Sequence, residues 1–420
     1  MTGTRRFHVL VWRVLWIFVK LVIRRIFQYR CISAAMQRVS SARFAGYRED
    51  VPTLVISNHT TDLDPLFVGG SFPGHLYFVA SEHVFRMGLA SALIRFFFSP
   101  IVFSKGSIDI PALRDILDRL RHGSRVCLFA EGNRSFSGRT GKVDESTGKL
   151  VRLSGAALIT YRLRGGYFSA PRWSRRMRKG PVWGMPVGFY PPEELKSKTA
   201  AEITALIRRD IYEDAYETMG ENPRPYRGKG LAEDLETALY LCPRCGGIGT
   251  LVSRGDMLRC GCGLAVRYDE YGTLRPVVRE GEPSGTGAEF FASVRDWWFW
   301  QYKAMEGIVA EGEGPVCWDE GEKLFEVRAG LGIRFLEQGR LSLGREGLRC
   351  GKVRFPLGDI PKLAVTGQRT LVFTIGEKRY ELKNDRPRSA AKYQRVFELL
   401  AGAEKPAGVF MDAREPAMGR

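Results

Sequence analysis

The chain contains no internal repeat and no low-complexity tract, so its 420 residues are neither a solenoid nor a biased, unfolded polymer. It also lacks a long apolar run free of charge. Residues 7–28 come nearest, but His8, Arg13, Lys20, Arg24 and Arg25 interrupt them. Carrying Arg13 and Lys20 into hydrocarbon would cost ~2.5–3.5 kcal/mol each, which disfavours a spanning helix. The same cations, and the want of a small-residue cleavage site, disfavour a removed signal peptide. Acidic residues are in deficit, 46 Asp and Glu against 64 Lys and Arg, and the formal net charge of +18 implies anionic partners. Nothing over 35–200 alternates basic and aromatic residues across a sheet as single-strand nucleic-acid binders do. A disulfide framework is not expected either, because Cys31, Cys127, Cys317 and Cys350 are scattered along the chain, which fits a reducing compartment.

The charge that is present favours a lipid surface. Arg6, Arg13, Lys20 and Arg24 return to one face of a helix, and Val9, Leu10, Trp12, Leu15, Trp16, Phe18, Val19, Val22, Ile23 and Phe27 cover the rest. Such a helix suits the headgroup boundary of an anionic membrane; the alternative is an amphipathic helix packed on the globular part. A second basic cluster, Arg172, Arg175, Arg176, Arg178 and Lys179 with Trp173, sits in a loop between Gly165 and Pro181. It could be a solvated loop, rest on the bilayer, cover a site or hold a phosphate.

Two motifs carry chemistry. In Asn58-His59-Thr60-Thr61-Asp62-Leu63-Asp64-Pro65, a histidine and an aspartate follow the strand-like run Leu54-Val55-Ile56. A neutral imidazole can take the proton of an attacking hydroxyl, and a carboxylate on its other nitrogen fixes the tautomer and stabilises the imidazolium. The competing account is a satisfied helix start. Farther on, Val126-Cys127-Leu128-Phe129 ends in Ala130-Glu131-Gly132-Asn133-Arg134-Ser135. A strand there delivers a carboxylate, a glycine and a guanidinium to its C-terminal end, where open α/β sheets place ligands. The Arg134 fork suits a phosphate and Gly132 would let backbone approach it. The plain alternative is a surface turn with a Glu–Arg ion pair.

Taken in this order and spacing, the two motifs resemble those of the glycerolipid acyltransferase family, which includes the 1-acylglycerol-3-phosphate acyltransferases. His59 and Asp64 match its first motif; Phe129, Glu131, Gly132, Arg134 and Ser135 match its Phe-Pro-Glu-Gly-Thr-Arg-Ser block, with Ala130 and Asn133 as departures. Pro100-Ile101-Val102-Phe103-Ser104-Lys105-Gly106 looks like an intermediate block, with Lys105 where the family often has arginine. Gly184-Met185-Pro186-Val187-Gly188 looks like a fourth. The resemblance covers roughly residues 35–200.

It implies acyl transfer from a thioester, acyl-CoA or acyl-carrier protein, to 1-acylglycerol-3-phosphate (lysophosphatidic acid), giving phosphatidic acid. His59 would be the base and Asp64 its orienting acid, with Asp62 as rival. Lys105, Arg134 and the Gly132 backbone would bind the acceptor phosphate, and Glu131 would orient Arg134 or the glycerol hydroxyl. No catalytic cofactor is required, since a thiolate leaves readily. The implied place is the cytoplasmic face of the cell membrane, peripheral or monotopic. Transfer to another lysolipid, and an inactive membrane-binding scaffold, are the alternatives.

Periodicity predicts strands near 53–57, 75–80, 100–104, 125–130 and 182–190, with helices near 62–70, 83–97, 110–122, 149–163 and 193–216. The expected fold is α/β, with a mixed, partly parallel sheet flanked by helices. Gly220–Gly230 reads as linker. Beyond it, Cys242-Pro243-Arg244-Cys245 and Cys260-Gly261-Cys262 flank a short hairpin. Four thiolates on two glycine-rich knuckles make a closed structural zinc site, a zinc ribbon with no open position for catalysis. A zinc ribbon with high positive charge could instead bind nucleic acid. Yet the segment itself has only Arg244, Arg254 and Arg259 against Asp256, so nucleic acid is not the expected partner. After a linker at 281–287, Phe290–Met305 is a Trp-rich helix, for which core packing is the default over an interfacial anchor. From Leu324 to Leu382 come β-rich runs, closed by a helix over Ser389–Leu400. That pattern looks like a pleckstrin-homology-type domain, either headgroup-binding or structural. The expected units are thus a membrane-interface helix over 1–34, an acyltransferase domain over 35–225, a zinc ribbon over 238–275, a Trp helix and β domain over 288–403, and a tail over 404–420.

Overall fold

The computed structural model describes residues 17–31 except 19, 44, 47–81, 85, 89–103, 109–277, 291–328 and 332–402. Lys105, the linker at 281–287, the tail and the first half of the N-terminal helix lie outside the described residues.

Seven strands form the first sheet: β1 (Arg30–Cys31), β2 (Thr53–Ser57), β3 (Leu76–Ser81), β4 (Ile101–Phe103), β5 (Arg125–Phe129), β6 (Ala157–Arg164) and β7 (Trp183–Tyr190). Their order is β1-β7-β6-β2-β5-β3-β4. Pairing is parallel from β6 through β4 and antiparallel only between β6 and β7. The expected mixed, partly parallel sheet is therefore present. Helices α1 (Asp64–Ser71), α2 (Leu89–Phe98), α3 (Ile110–Arg121), α4 (Glu145–Ser154) and α5 (Ala200–Ile211) connect or cover these strands, and α6 (Ala215–Glu221) follows. Side chains alternate along β2 between two cores: Val55 packs with Phe67 and Val68 of α1, while Leu54 and Ile56 pack with Ile116 of α3 and Ile203 of α5.

Two expectations fail here. The apolar run over 149–163 is not one helix. Gly155, in the left-handed region at φ 60°, ends α4, and Ala157-Leu158-Ile159-Thr160-Tyr161 then enters the sheet between β2 and β7. A strand buried on both faces loses the two-residue alternation that would have revealed it. The predicted helix over 193–216 is likewise broken, because Thr199 and Glu202 form a capping box that starts α5 afresh and Asp214 caps α6.

Where α4 crosses α5, the backbones nearly touch: a Cβ on Gly148 would lie 2.1 Å from the Ala200 carbonyl oxygen and 2.4 Å from Thr204 Oγ1. Gly148→Ala is therefore expected to destabilise the protein by about 1–3 kcal/mol despite alanine's better helix propensity. A urea midpoint no lower than that of the wild type would contradict this.

The cysteine segment folds as a four-stranded sheet, β8 (Leu251–Arg254), β9 (Met257–Cys260), β10 (Ala265–Tyr268) and β11 (Leu274–Pro276), in order β11-β10-β9-β8. Helix α7 (Val294–Glu311) follows, with Trp297 buried and its indole N–H donating to the Leu241 carbonyl at 2.9 Å, so the packing default holds. The last sheet contains β12 (Pro315–Arg328), β13 (Gly332–Gly344), β14 (Gly347–Cys350), β15 (Val353–Phe355), β16 (Ala364–Thr366), β17 (Thr370–Ile375) and β18 (Lys378–Lys383). It is antiparallel throughout, in order β15-β14-β13-β12-β18-β17-β16, and α8 (Ala390–Leu400) packs on it through Tyr393 and Val396. These three units share one continuous core, which also takes in Phe136 and Trp173 from the first sheet's loops.

Candidate active site and candidate metal centre

β2 ends at Ser57, and the Asn58 side chain prolongs its pairing with β6. Asn58 Nδ2 donates to the Leu163 carbonyl at 2.9 Å, and the Leu163 amide donates to Asn58 Oδ1 at 2.7 Å. His59 is thereby fixed at the strand's C-terminal end. Its Nδ1 lies 2.9 Å from Asp64 Oδ2, and its ring stacks on Phe129 at 4.3 Å. Asp64 is fully buried while the histidine side chain keeps 20% of its surface exposed. The aspartate is held by more than the ring: Oδ2 accepts the Thr60 and Thr61 amides at 2.6 and 2.9 Å, and Oδ1 accepts the Thr60 hydroxyl at 3.2 Å. Such a carboxylate cannot swing, so the tautomer with hydrogen on Nδ1 is favoured and Nε2 is the nitrogen left to take a proton.

The second motif meets the first. Glu131 Oε1 accepts the His59 amide at 2.7 Å and Oε2 accepts the Gly141 amide at 2.5 Å, and the Ser135 amide donates to the His59 carbonyl at 3.2 Å. Burial pushes the Glu131 carboxyl up to about 8, against the two amides, which pull it down. This corrects the expected orientation of Arg134 by Glu131. Arg134 instead pairs with Asp62, Nε to Oδ1 at 3.0 Å, so the rival acid is the guanidinium's partner. Gly132 differs from expectation too: its amide closes a turn onto the Phe129 carbonyl at 3.1 Å, and φ is 67°. Glycine is needed there for backbone conformation rather than for a phosphate-binding amide.

Thr61, Asp62, Leu63 and Arg134 line one side of a cleft of about 400 Å³, and Ala170 and Ser174–Met177 line another. The basic loop is not simply solvated. Arg172, Trp173 and Arg178 are buried, Arg178 donates to the Leu231 carbonyl at 2.5 Å, and Arg175 pairs with Asp234 at 2.8 Å. Its job is largely to stitch the first sheet to the later units, which sequence reasoning did not see. The cleft's remaining wall, Gly367 and Gln368, lies some two hundred positions away in the chain, and no local signal announces it.

At the cysteine segment the sulfurs converge. Cys242 and Cys262 Sγ are 3.7 Å apart, as are Cys245 and Cys260, and all four lie within 4.8 Å of one another. Zinc–sulfur bonds of ~2.3 Å arranged tetrahedrally would set the sulfurs about 3.8 Å apart, whereas a disulfide would bring a pair to ~2.05 Å. The donor set fits zinc, which would hold two knuckles of a sheet that has little apolar interior of its own. Among the described residues no helix is long and apolar enough to cross a membrane.

Residues 41–164 match the family model described as Acyltransferase, a span that includes His59, Asp64, Glu131, Gly132 and Arg134. A comparison with curated proteins finds no match. Among solved structures, the chain is similar to the 1-acyl-sn-glycerophosphate (LPA) acyltransferase PlsC from Thermotoga maritima. Identity is 17% and the TM-score 0.40, over 50% of this chain and 82% of that one.

Proposed function

We propose, from the match of residues 41–164 to the Acyltransferase family model, that the protein transfers a fatty acyl group from a thioester to the free hydroxyl of 1-acylglycerol-3-phosphate. The observation that carries the proposal is the His59–Asp64 contact of 2.9 Å, with the acid buried and locked by two amides. His59 Nε2 takes the proton as the hydroxyl oxygen bonds to the thioester carbonyl carbon, and Asp64 stabilises the imidazolium. The tetrahedral intermediate then expels the thiolate, which leaves as the thiol after accepting the proton back from His59. Arg134, with Lys105 where the family has a basic residue, holds the acceptor phosphate, and that positioning supplies much of a two-substrate rate enhancement. Glu131 and Gly132 shape the loop that presents Arg134. Incubating the protein with 1-acylglycerol-3-phosphate and labelled acyl thioesters, acyl-CoA and acyl-carrier protein in parallel, should yield labelled phosphatidic acid. Product only from other lysolipids would move the acceptor assignment, and silence across such a panel would leave the inactive scaffold.

The enzyme would work at an anionic membrane surface. Residues 20–27 are helical; Ile23 and Phe27 are buried in the first sheet's core, whereas Ile17, Phe18 and Leu21 are 59–64% exposed beside the exposed Arg24 and Arg25. The helix thus both packs on the domain and offers an apolar, cation-edged face. Deleting it would open the core, so the cleaner test changes the exposed positions alone. Ile17→Glu, Phe18→Glu and Leu21→Glu together should weaken binding to anionic vesicles by about tenfold or more. Unaltered vesicle sedimentation would count against this face.

A further inference from the structure

The family match stops at Arg164, at the end of β6, but the cleft beside the His59–Asp64 turn does not. The turn between β16 and β17 closes it with Gly367 and Gln368. One side chain ties that turn to the second motif. Arg172 is 5% exposed, and its guanidinium donates to three carbonyls: Nη1 to Arg134 at 2.8 Å, Nε to Gly367 at 2.9 Å and Nη2 to Val365 at 3.1 Å. It also lies 4.0 Å over the Phe136 ring. All three acceptors are neutral, so the buried charge is neutralised by none of its hydrogen-bond partners.

The electrostatics follow. Arg134 lines the cleft and Arg172 lies buried behind it, and burial together with the neighbouring Arg134 cation lowers the Arg172 guanidinium to about 9. Against these two cations stands Asp62, bonded to Arg134 but 76% exposed and so screened by water. Arg175 adds little net charge, since Asp234 holds it at 2.8 Å. A cleft lined by Arg134, Arg175 and Arg176 against Asp62, and backed by Arg172, attracts an anion of more than unit charge, and a phosphate monoester is one.

We propose that the β16–β17 turn, through Gln368, is the far wall of the acceptor's headgroup site, and that Arg172 is the positioning residue holding that wall and Arg134 in register. The ligand class is an anionic lysolipid whose phosphate meets Arg134 while its headgroup periphery meets the Gln368 amide. This rests on the acyl-transfer reading above. It makes the C-terminal sheet a part of acceptor selection.

The test uses the full chain. Gln368→Glu sets a carboxylate in the wall and should raise KM for 1-acylglycerol-3-phosphate about tenfold or more, with kcat and the thioester KM within about twofold. Gln368→Asn, neutral but one methylene shorter, should raise the acceptor KM by less than Gln368→Glu does. Arg172→Lys keeps the charge but cannot reach three carbonyls, and should raise the acceptor KM while sparing kcat. Binding of glycerol 3-phosphate, followed by calorimetry in wild type and Gln368→Glu, separates the two readings. If wild type transfers acyl groups but Gln368→Glu changes neither KM nor anion binding, the wall is overturned and acyl transfer stands. If wild type binds glycerol 3-phosphate more tightly than Gln368→Glu yet transfers nothing, the wall stands and the transferase reading falls. A wild type that neither binds nor transfers overturns both.

Discussion

His59→Ala protein should fold normally and lose acyl transfer by about a thousandfold or more, the share that a positioned general base supplies. The variant is clean because Asp64 remains satisfied without the ring: the Thr60 and Thr61 amides and the Thr60 hydroxyl still bind its carboxylate. Asp64→Asn is a different experiment. Its side-chain NH2 would face donors that now meet a carboxylate oxygen, so stability should fall by about 1–3 kcal/mol together with the rate. Comparing kcat/KM with the thermal midpoint for both variants tells base from scaffold. Equal activity in His59→Ala and wild type would remove His59 from the mechanism. A loss in Asp64→Asn explained wholly by unfolding would leave the acid's role undemonstrated but the base's intact.

The second large effect concerns the metal. Purified protein should carry about one equivalent of zinc, and stripping it, or making Cys242→Ser, should collapse more than the ribbon. Leu251, Leu258 and Val266 of that small sheet belong to the same core as Trp297, Leu341 and Tyr393. A site of this type has on the order of 10 kcal/mol of metal-binding free energy available for folding. The expected result is therefore a sharply lower melting temperature for the strands and helices after residue 230, read by loss of their tryptophan signal on chelation. Elemental analysis showing no metal near one equivalent would end the zinc assignment.

What the sequence disclosed was local. His59 and Asp64 are joined by one turn, and the four thiolates by two knuckles and a hairpin, so spacing alone brought each group together. Strands β2, β3, β4, β5 and β7 were likewise readable, being short apolar runs with clear punctuation. β6 was not, because a central strand is apolar on both faces and Gly155 was the only break between it and α4. The exchange of partners at the second motif was also hidden. Whether Glu131 or Asp62 meets Arg134 depends on how two loops from different strands cross, and both carboxylates are compatible with the spacing. The stitching by Arg172 and Arg178 was hidden for the same reason, since a basic loop looks alike whether it meets water or the carbonyls of a distant sheet.

The core that runs unbroken from Phe136 and Trp173 to Tyr393 bears on how the molecule can be taken apart. A cut near Gly220–Gly230, where composition invites a protease, would bare apolar faces on both pieces and break the Trp173–Tyr268 contact only if the pieces came apart. Nicked chains should therefore stay associated under native conditions, and neither fragment expressed alone should be soluble. The first sheet and the units that follow it would have to be transplanted as one piece.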